Sequence, residues 1–438
     1  MAYHIKKIRI KKFRGDRDFS FDFDSKTNFF IGINGSGKTT LIKLIKAAID
    51  VDDTILDMPA EELIIEYKRV GNPVNKSRRR IRGGKLDSKP LPEFPSMKIV
   101  RTDDDDGSHS CTFFYADEKT DGFERIKLPE ADSERDLFYE ARWAFRSLSS
   151  RVRREYSYLK NLRIAWFSIQ RSSVSNQYDH EDEFDLEAIQ NPLDSRLKEV
   201  ITSTSSYLSQ MDSNYKSSMD DFQKDYLGAV VKMFEKESLD ESEIDLKSLK
   251  DNMISILDVL DINSSEIESE LDRITEVISE GTDGGKIVDY IIALSTAKKI
   301  AYVIDRWKET QKSVVKIFAP RDEFIDVMNE FFQTKSMGFR ETNKPFFKMN
   351  GSKTLHSFMA LSSGEKQLLT FMLETLNQRS QSYIYIADEP ELSLHVSWQE
   401  QLVRSIHRIN KNAQIIFATH SPDIVGSNDG QVFDLSKL

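Results

Sequence analysis

The first 31 residues alternate apolar and polar side chains, which predicts three short β-strands before the first helix. The apolar positions of the first two strands are Ile8, Ile10, Phe13, Phe19, Phe21 and Phe23. Successive side chains of a strand point to opposite faces, so this pattern buries one face and exposes the other. A third, more apolar strand covers residues 27–31, and the amphipathic run that starts at Thr40 predicts a helix soon after it.

The next part of the chain changes from strand to loop and helix patterns. Residues 97–101 and 111–115 predict a hairpin, and four adjacent aspartates lie in its turn. We interpret this acidic run as a solvated turn rather than a metal site, because neighbouring side chains in a row cannot all converge on one ion. The remaining segments predict a Gly/Pro-rich loop at 71–95, a helix at 133–160 and a strand at 162–167.

Apolar side chains then recur at steps of three and four residues, which is typical of a heptad-like helical seam. The seam runs through 197–226, repeats at 267–278 and resumes at 287–307 after a glycine-rich break. This pattern predicts paired helices inserted between two halves of the chain. Two interpretations stay open at this point: a helical arm of the coiled-coil type, and an ordinary helical bundle.

Strand and helix patterns alternate in the last hundred residues, as they do in an α/β sheet. The predicted strands are 337–340, 345–349, 383–387, 414–418 and 432–435, and a helix is predicted at 398–408. The fold class predicted from these patterns is therefore α/β, interrupted by an inserted α-helical region.

Composition narrows the class of protein. The chain has 438 residues, of which 39% are hydrophobic and 31% charged, which allows two or three structural units with a large core. Its apolar runs are shorter than the roughly 18–20 residues of a membrane span, and its N-terminus lacks the apolar core of a signal peptide. The lone Cys111 excludes an internal disulfide, so we expect a cytoplasmic protein without a membrane partner. The net charge of −10 argues against a uniformly basic surface for nucleic acid.

A complete phosphate-binding loop lies between the third strand and the first helix. Residues 32–39 read Gly-Ile-Asn-Gly-Ser-Gly-Lys-Thr, which fits the pattern G-x-x-x-x-G-K-[ST]. Glycines let backbone N–H groups surround a triphosphate, while Lys38 reaches the β- and γ-phosphates and the Thr39 hydroxyl binds Mg²⁺. The candidate residues for ATP are Gly32, Asn34, Gly35, Ser36, Gly37, Lys38, Thr39 and Thr40.

Two carboxylates follow the apolar strand at 383–387. In a parallel sheet, ligands bind at the carboxyl ends of the strands, so Asp388 and Glu389 lie where a nucleotide would be. We predict that Asp388 holds Mg²⁺ opposite Thr39. Glu389 is the candidate general base for the attacking water.

The segment Leu361–Gln367, which reads Leu-Ser-Ser-Gly-Glu-Lys-Gln, resembles the LSGGQ-type signature of ABC-class ATPases. In that class, the signature of one subunit covers the nucleotide held by the phosphate loop of another. The resemblance implies that Ser362, Ser363, Gly364 and Glu365 meet a γ-phosphate across such an interface. Ser363 stands where the family pattern often has glycine, which leaves the backbone contact open.

Four further residues match motifs of the same class. His420, in Ala-Thr-His-Ser-Pro after the strand 414–418, resembles the switch histidine that contacts the γ-phosphate and orients the water. His395 ends a segment similar to the D-loop, where transporter-type relatives tend to carry aspartate. Gln170 follows a predicted strand and would be the Q-loop residue that reaches Mg²⁺. Arg14 resembles the N-terminal arginine of SMC-like heads that approaches the nucleotide.

The opening strands and the phosphate loop resemble the heads of RecF, SMC and overcoming-lysogenization-defect (OLD) proteins. Lys38 and Ser362 are 324 positions apart, whereas transporter ATPases place these motifs much closer together. The resemblance therefore implies a split ABC-type ATPase head with an inserted helical arm. We expect an N-terminal ATPase lobe at 1–178, the arm at 179–333 and a C-terminal ATPase lobe at 334–438.

Two basic clusters, at 76–85 and 142–163, stand out in this acidic chain. Lysine and arginine in such numbers could contact DNA phosphates, without any motif that reads bases. A solvated face balanced by nearby acids explains them equally well, so DNA remains one of two interpretations.

The resemblance also implies how such an ATPase works. Two copies would enclose two ATP molecules head to tail, with the possibility of a higher oligomer, and the chain would act as a switch. No nuclease motif is visible, so we expect a separate effector subunit of TOPRIM or HNH type, as in the ATPase subunits of anti-phage systems such as PARIS, Septu and some retrons. The alternative is a RecF-like repair ATPase that binds DNA directly, and a transporter motor is disfavoured by the motif spacing.

Overall fold

The computed structural model describes residues 2–70, 95–103, 109–116, 123–125, 162–168, 192–231, 245–259, 265–281, 287–426 and 428–437. The chain separates into two compact units. The first combines Met1–Thr204 with Glu323–Leu438, and the second is Ser205–Asp322. The first unit thus contains both ends of the chain, and the second is an insertion between them.

An antiparallel sheet of six strands occupies the N-terminal part of the first unit. Its strands are β1 (Ala2–Phe13), β2 (Arg17–Asp22), β4 (Glu62–Val70), β5 (Ser96–Asp103), β6 (His109–Ala116) and β7 (Glu124–Arg125), in the order β2-β1-β4-β5-β6-β7. The predicted alternation is confirmed, because Ile8, Ile10 and Phe13 are buried while the lysines and arginines between them lie at the surface. The predicted hairpin is the antiparallel pair of β5 and β6.

A parallel sheet of five strands carries the predicted motifs. Its strands are β3 (Thr27–Ile31), β8 (Ile164–Ser168), β11 (Tyr383–Asp388), β12 (Ala413–Ala418) and β13 (Gln431–Asp434). They lie in the order β13-β3-β12-β11-β8, and every pairing between them is parallel. Strand β12 therefore lies between the strand that leads into the phosphate loop and the strand that ends in Asp388.

Helix α1 (Lys38–Asp50) starts in the phosphate loop and packs between the two sheets. Its buried side chains include Leu41, Ile42 and Ile45, which belong to one hydrophobic cluster with residues of β1, β4, β11 and β12. A period of three to four residues brings these apolar side chains to one face of the helix. This packing fixes the start of α1, and with it the loop, relative to the carboxyl edge of the parallel sheet.

The C-terminal half of the first unit supplies three more helices and a hairpin. These elements are β9 (Lys335–Phe339), β10 (Pro345–Met349), α6 (Ser363–Asn377), α7 (Val396–Ile409) and α8 (Pro422–Gly426). Helix α6 covers the parallel sheet through Phe371, whose ring stacks on Phe167 of β8 with centroids 3.8 Å apart.

Helices make up the described part of the inserted unit. They are α2 (Pro192–Val231), whose first residues belong to the first unit, α3 (Leu246–Val259), α4 (Ser265–Glu280) and α5 (Ile287–Phe331), whose last residues return to it. Leu249, Leu271 and Trp307 share a hydrophobic cluster formed by α3, α4 and α5. The predicted helical insertion is thus confirmed, and its seam at 197–226 lies on one continuous helix. Within the described segments, no helix is both long and apolar enough to cross a membrane.

Some predicted features lie outside the described residues. They are the loop at 71–94, the helix at 133–160, most of the aspartate turn and Gln170. Cys111 is buried in β6, where its thiol donates to the carbonyl of Ile55 at 3.4 Å.

Candidate active site

The phosphate loop leaves β3 and enters α1 without a side chain that caps the helix. Gly37 occupies the N-cap position with φ 100° and, as a glycine, provides no side-chain cap for the backbone N–H groups of the first turn. The first N–H groups of a helix lack partners within the helix, and they carry a partial positive charge. The start of α1 therefore offers backbone donors and a positive dipole end to an anion.

Two glycines of the loop are required by its geometry. Gly37 has a left-handed φ, and a Cβ at this position would lie 3.0 Å from the Phe13 ring. Gly32 has φ 150°, and its Cβ would lie 2.8 Å from the Ser36 hydroxyl. Side chains at these positions would strain the backbone or displace neighbours, so the observed loop conformation requires glycine at both.

Lys38 is buried and folds back over its own loop. Its ammonium donates to the carbonyl oxygens of Gly32 at 2.9 Å and Ile33 at 3.3 Å. Burial lowers the pKa of Lys38, while the nearby carboxylates of Glu389 and Asp388 oppose this shift. The amine is thus a compact positive charge at the centre of the loop.

Thr39 and Asp388 meet across the edge of the parallel sheet. The Thr39 hydroxyl donates to Oδ1 of Asp388 at 3.2 Å, although the two residues are 349 positions apart. Burial raises the pKa of Asp388, whereas the Thr39 hydroxyl and the ammonium groups of Lys43 and Lys38 lower it. One hydroxyl and one carboxylate thus converge on a single point beside Lys38.

Glu389 has a left-handed backbone, with φ 49°. Such a conformation is unfavourable for a residue with a Cβ and is found preferentially at functional sites. A hydrogen bond from its N–H to the carbonyl of Ala418, at 2.7 Å, holds the turn in place. The carboxylate of Glu389 lies 3.9 Å from Nε2 of His420, which projects from the loop after β12.

The predicted signature is the N-terminus of α6. Ser362 is the N-cap residue and forms a capping box with Glu365, in which each side chain bonds the other's backbone N–H. Lys335 pairs with Glu365. Although burial alone would raise the pKa of Glu365, the Lys335 ammonium and the donors of Ser362 lower it below its usual value. Ser363, one residue into the helix, is exposed.

The signature helix also contacts the predicted D-loop. The amide of Gln367 donates to the carbonyl of Leu392 at 2.8 Å. A Cβ on Gly364 would lie only 2.4 Å from the carbonyl oxygen of Ser393, so only glycine fits here without a shift of the backbone. Among the described residues, no hydrogen bond or ion pair joins 362–365 to the phosphate loop of the same chain.

A family model described as "AAA ATPase domain" matches residues 4–425, which is nearly the whole chain. The chain belongs to the AAA ATPase domain family. Its fold class, an α/β phosphate-loop ATPase with a helical insertion, agrees with the strand order and with the position of the loop.

One curated relative of this AAA ATPase domain protein is the "Retron Ec83 probable ATPase" of Escherichia coli, which is 31% identical over 86 residues. The match spans 17% of the chain and 16% of the relative.

Two solved SMC structures are similar to the chain over almost its full length. The Smc head domain of Pyrococcus furiosus, with an extended coiled coil and bound to the C-terminal domain of ScpA, has a TM-score of 0.45 at 15% identity. This similarity covers 99% of the chain and 93% of that structure. The SMC head domain of Thermotoga maritima has a TM-score of 0.41 at 11% identity. This similarity covers 99% of the chain and 94% of the Thermotoga structure.

The side chains around the phosphate loop of this chain fit a magnesium-bound nucleotide. Gly37 begins helix α1 without a side-chain cap, which leaves backbone N–H donors at the loop for phosphate oxygens. The Ser36 hydroxyl is buried without a hydrogen-bond partner among the described residues, so it has a free donor and free lone pairs inside the loop. The oxygens of Thr39 and Asp388 are the hard ligands that Mg²⁺ prefers.

The structure also shows where the other residues predicted from the sequence lie relative to the phosphate loop. Arg14 reaches the loop, because its guanidinium donates to the carbonyl of Gly35 at 3.2 Å and to the hydroxyl of Thr40 at 2.6 Å. His395 is the N-cap of α7, where its ring accepts from the N–H of Ser397. Of the two basic clusters, Arg163 alone lies within the described residues, and its guanidinium lies over the Tyr383 ring.

Sequence reasoning missed two residues that hold the site together. The Ser436 hydroxyl accepts from the N–H of Ile33 at 3.0 Å, which ties the phosphate loop to the segment after β13. Glu391 accepts hydrogen bonds from the loop that carries His420. Ser436 has no motif around it, and Glu391 lies in the D-loop segment without a signal that separates it from its neighbours.

Proposed function

We propose that this protein binds Mg²⁺-ATP in the loop at 32–39 and hydrolyses it in a site that a second copy of the chain completes. The contact between Thr39 and Asp388 carries this proposal, since it places a loop hydroxyl and a carboxylate of a distant segment 3.2 Å apart beside a buried lysine. Bound Mg²⁺ would neutralise negative charge on the phosphates and fix their orientation.

Three side chains of the loop and the neighbouring strand ends have separate roles in the proposed reaction. Lys38 exchanges its bonds with the loop carbonyls for bonds with the β- and γ-phosphate oxygens of ATP. Glu389 accepts a proton from the attacking water as general base. His420, whose ring lies 3.9 Å from that carboxylate, orients the water and contacts the γ-phosphate.

The signature at Ser362–Glu365 contributes from the partner copy in this proposal. Its residues occupy the exposed start of a 15-residue helix, and the hydrogen bonds of the capping box orient Ser362. Helix N-termini bind phosphate through free N–H groups. The lack of a bond to the loop of the same chain, within the described residues, is consistent with a role in a second subunit's site.

We propose that ATP binding and hydrolysis by this chain control a separate nuclease subunit of an anti-phage system. The similarity to a retron ATPase over 86 residues supports this part of the proposal. Co-expression with the product of the neighbouring gene tests this part. A TOPRIM or HNH nuclease that forms a complex with the chain, and leaves it when ATP is hydrolysed, supports the proposal. A neighbouring set of replication or repair genes, together with direct DNA binding, supports the RecF-like alternative.

Two substitutions test the ATPase. Lys38→Ala removes the only ammonium in the loop, so ATP binding should fall below detection in isothermal calorimetry. Glu389→Gln keeps the size of the side chain but removes the base, so ATP should still bind while kcat falls by a factor of about 10²–10⁴. A Glu389→Gln protein with wild-type turnover would falsify the assigned role.

A further inference from the structure

Glu391 holds the loop that carries His420. Its Oε1 accepts three hydrogen bonds: from the Thr419 hydroxyl at 2.8 Å, from the N–H of His420 at 2.7 Å and from the N–H of Ser421 at 3.2 Å. These donors are consecutive along the chain and lie 28 to 30 positions after Glu391. A single carboxylate oxygen thus fixes the backbone from which the histidine ring projects.

The second carboxylate oxygen of Glu391, Oε2, makes no such hydrogen bonds within the described residues. Oε2 is buried and has no hydrogen-bond partner among the described residues. A carboxylate oxygen buried without a donor is costly, so the three hydrogen bonds to Oε1 must offset this penalty.

A second side chain braces the same loop from α7. The Gln399 carbonyl oxygen accepts from the Ser421 hydroxyl at 2.7 Å, and its amide donates to the carbonyl of Leu394 at 3.0 Å. Glu391 therefore holds all three residues 419–421, and Gln399 holds Ser421 in addition. Within the part of the chain that the structure describes, no hydrogen bond holds the ring of His420, so its distance from Glu389 depends on this backbone.

We propose that Glu391 is a positioning residue for ATP hydrolysis, which sets the placement of the His420 ring relative to Glu389 and the attacking water. This inference rests on the proposed function, because it assigns to Glu391 an effect on catalysis that acts through His420. Without the carboxylate, the N–H of His420 and the hydroxyl of Thr419 lose their acceptor, while the N–H of Ser421 keeps only the Thr419 oxygen at 2.9 Å. The loop then moves away from the catalytic arrangement.

The test is a double-mutant cycle between Glu391 and His420. Glu391→Ala should lower kcat by about 10–100-fold with little change in KM for ATP, because a shift of about 1 Å in a catalytic group has an effect of this size. Glu391→Gln retains an acceptor at the position of Oε1, so it should remain within about fivefold of the wild type. In a His420→Ala background, Glu391→Ala should change kcat less than about twofold, because the residue it positions is already gone.

Hydrogen exchange of residues 413–424 gives a readout that needs no turnover. The amide of His420 should exchange faster in Glu391→Ala than in the wild type, and Glu391→Gln should restore its protection. If Glu391→Ala does not fold, Glu391→Asp takes its place, since the shorter side chain withdraws the acceptor and keeps the charge.

Three outcomes would overturn the inference: a wild-type kcat in Glu391→Ala, losses that add fully to those of His420→Ala, or a change confined to KM. A wild-type chain without any ATP turnover would contradict the proposed function instead. The exchange data would then decide whether Glu391 holds the loop.

Discussion

Single residues of the site differ in how far their roles can be predicted from the sequence. Lys38, Thr39, Asp388 and Glu389 lie in short contiguous motifs, so their chemistry is visible in local sequence. The role of Glu391 arises from contacts with residues 28 to 30 positions away, which local spacing does not encode. The left-handed backbone of Glu389 could not be predicted from local sequence either, because it depends on a hydrogen bond to the end of another strand.

Gly364 provides a sharp prediction at the residue scale. Alanine is a better helix former than glycine by about 1 kcal/mol, so propensity alone predicts that Gly364→Ala stabilises α6. A Cβ there would lie 2.4 Å from the Ser393 carbonyl, and overpacking of this kind costs about 1–3 kcal/mol. We therefore expect Gly364→Ala to lower both the unfolding temperature and ATP turnover, as measured by calorimetry and phosphate release.

Ser363→Ala is the matched control, because Ser363 precedes Gly364 in the same helix turn and its side chain is exposed. This variant should unfold at the wild-type temperature. Equal unfolding temperatures for the two alanine variants would show that the close approach of α6 to the D-loop has no energetic consequence.

At the scale of elements, the periodicity of apolar residues predicts strands and helices but not which elements meet. The two sheets are joined where the side chain of Gln414 in β12 forms two hydrogen bonds with the backbone of Ile5 in β1, at 2.7 and 2.8 Å. These residues are 409 positions apart, so no sequence window contains both. The order of the strands, with β12 between β3 and β11, was hidden for the same reason.

His4 at this junction predicts a dependence of stability on pH. Its ring is buried, and burial lowers the pKa of His4 to about 4. Between about pH 6.5 and pH 4 the unfolded chain binds a proton that the folded chain does not, so stability falls as the pH falls. We expect the titration of His4 to lower the free energy of unfolding by about 2 kcal/mol when the pH falls from 7.5 to 5.

His4→Gln isolates this contribution, since the glutamine amide can donate to the carbonyl of Asn412, which lies 3.2 Å from Nε2 of His4, and the glutamine side chain does not titrate. Urea unfolding at both pH values should show a smaller loss for the variant than for the wild type. Identical losses in the two proteins would mean that the ring does not titrate in this range.

At the scale of the whole molecule, the insertion divides the sequence of one ATPase head into two stretches, Met1–Thr204 and Glu323–Leu438. The outgoing helix α2 is held on the signature helix by an ion pair of Lys366 with Asp194 at 2.8 Å. The returning helix α5 is held on α7 by Arg408, which binds Glu323 at 2.7 Å and Glu330 at 2.6 Å. The motif order predicted this split head. These residue pairs all lie within the first unit and join segments far apart in sequence, and no motif marks them.

A test of the central claim, that two chains form each ATP site, is the turnover of two inactive variants after mixing. Lys38→Ala disables the loop, and Ser363→Glu places a negative charge on the exposed signature, where it would repel a phosphate held by the partner. Each variant alone should be inactive, with wild-type folding temperatures.

After mixing, half of randomly formed dimers would pair one variant with the other, and each such dimer would have one site with both Lys38 and an intact signature. The account therefore predicts recovery of roughly a quarter of wild-type turnover on mixing. A mixture with no more activity than the separate variants, or full turnover by Ser363→Glu alone, would contradict it.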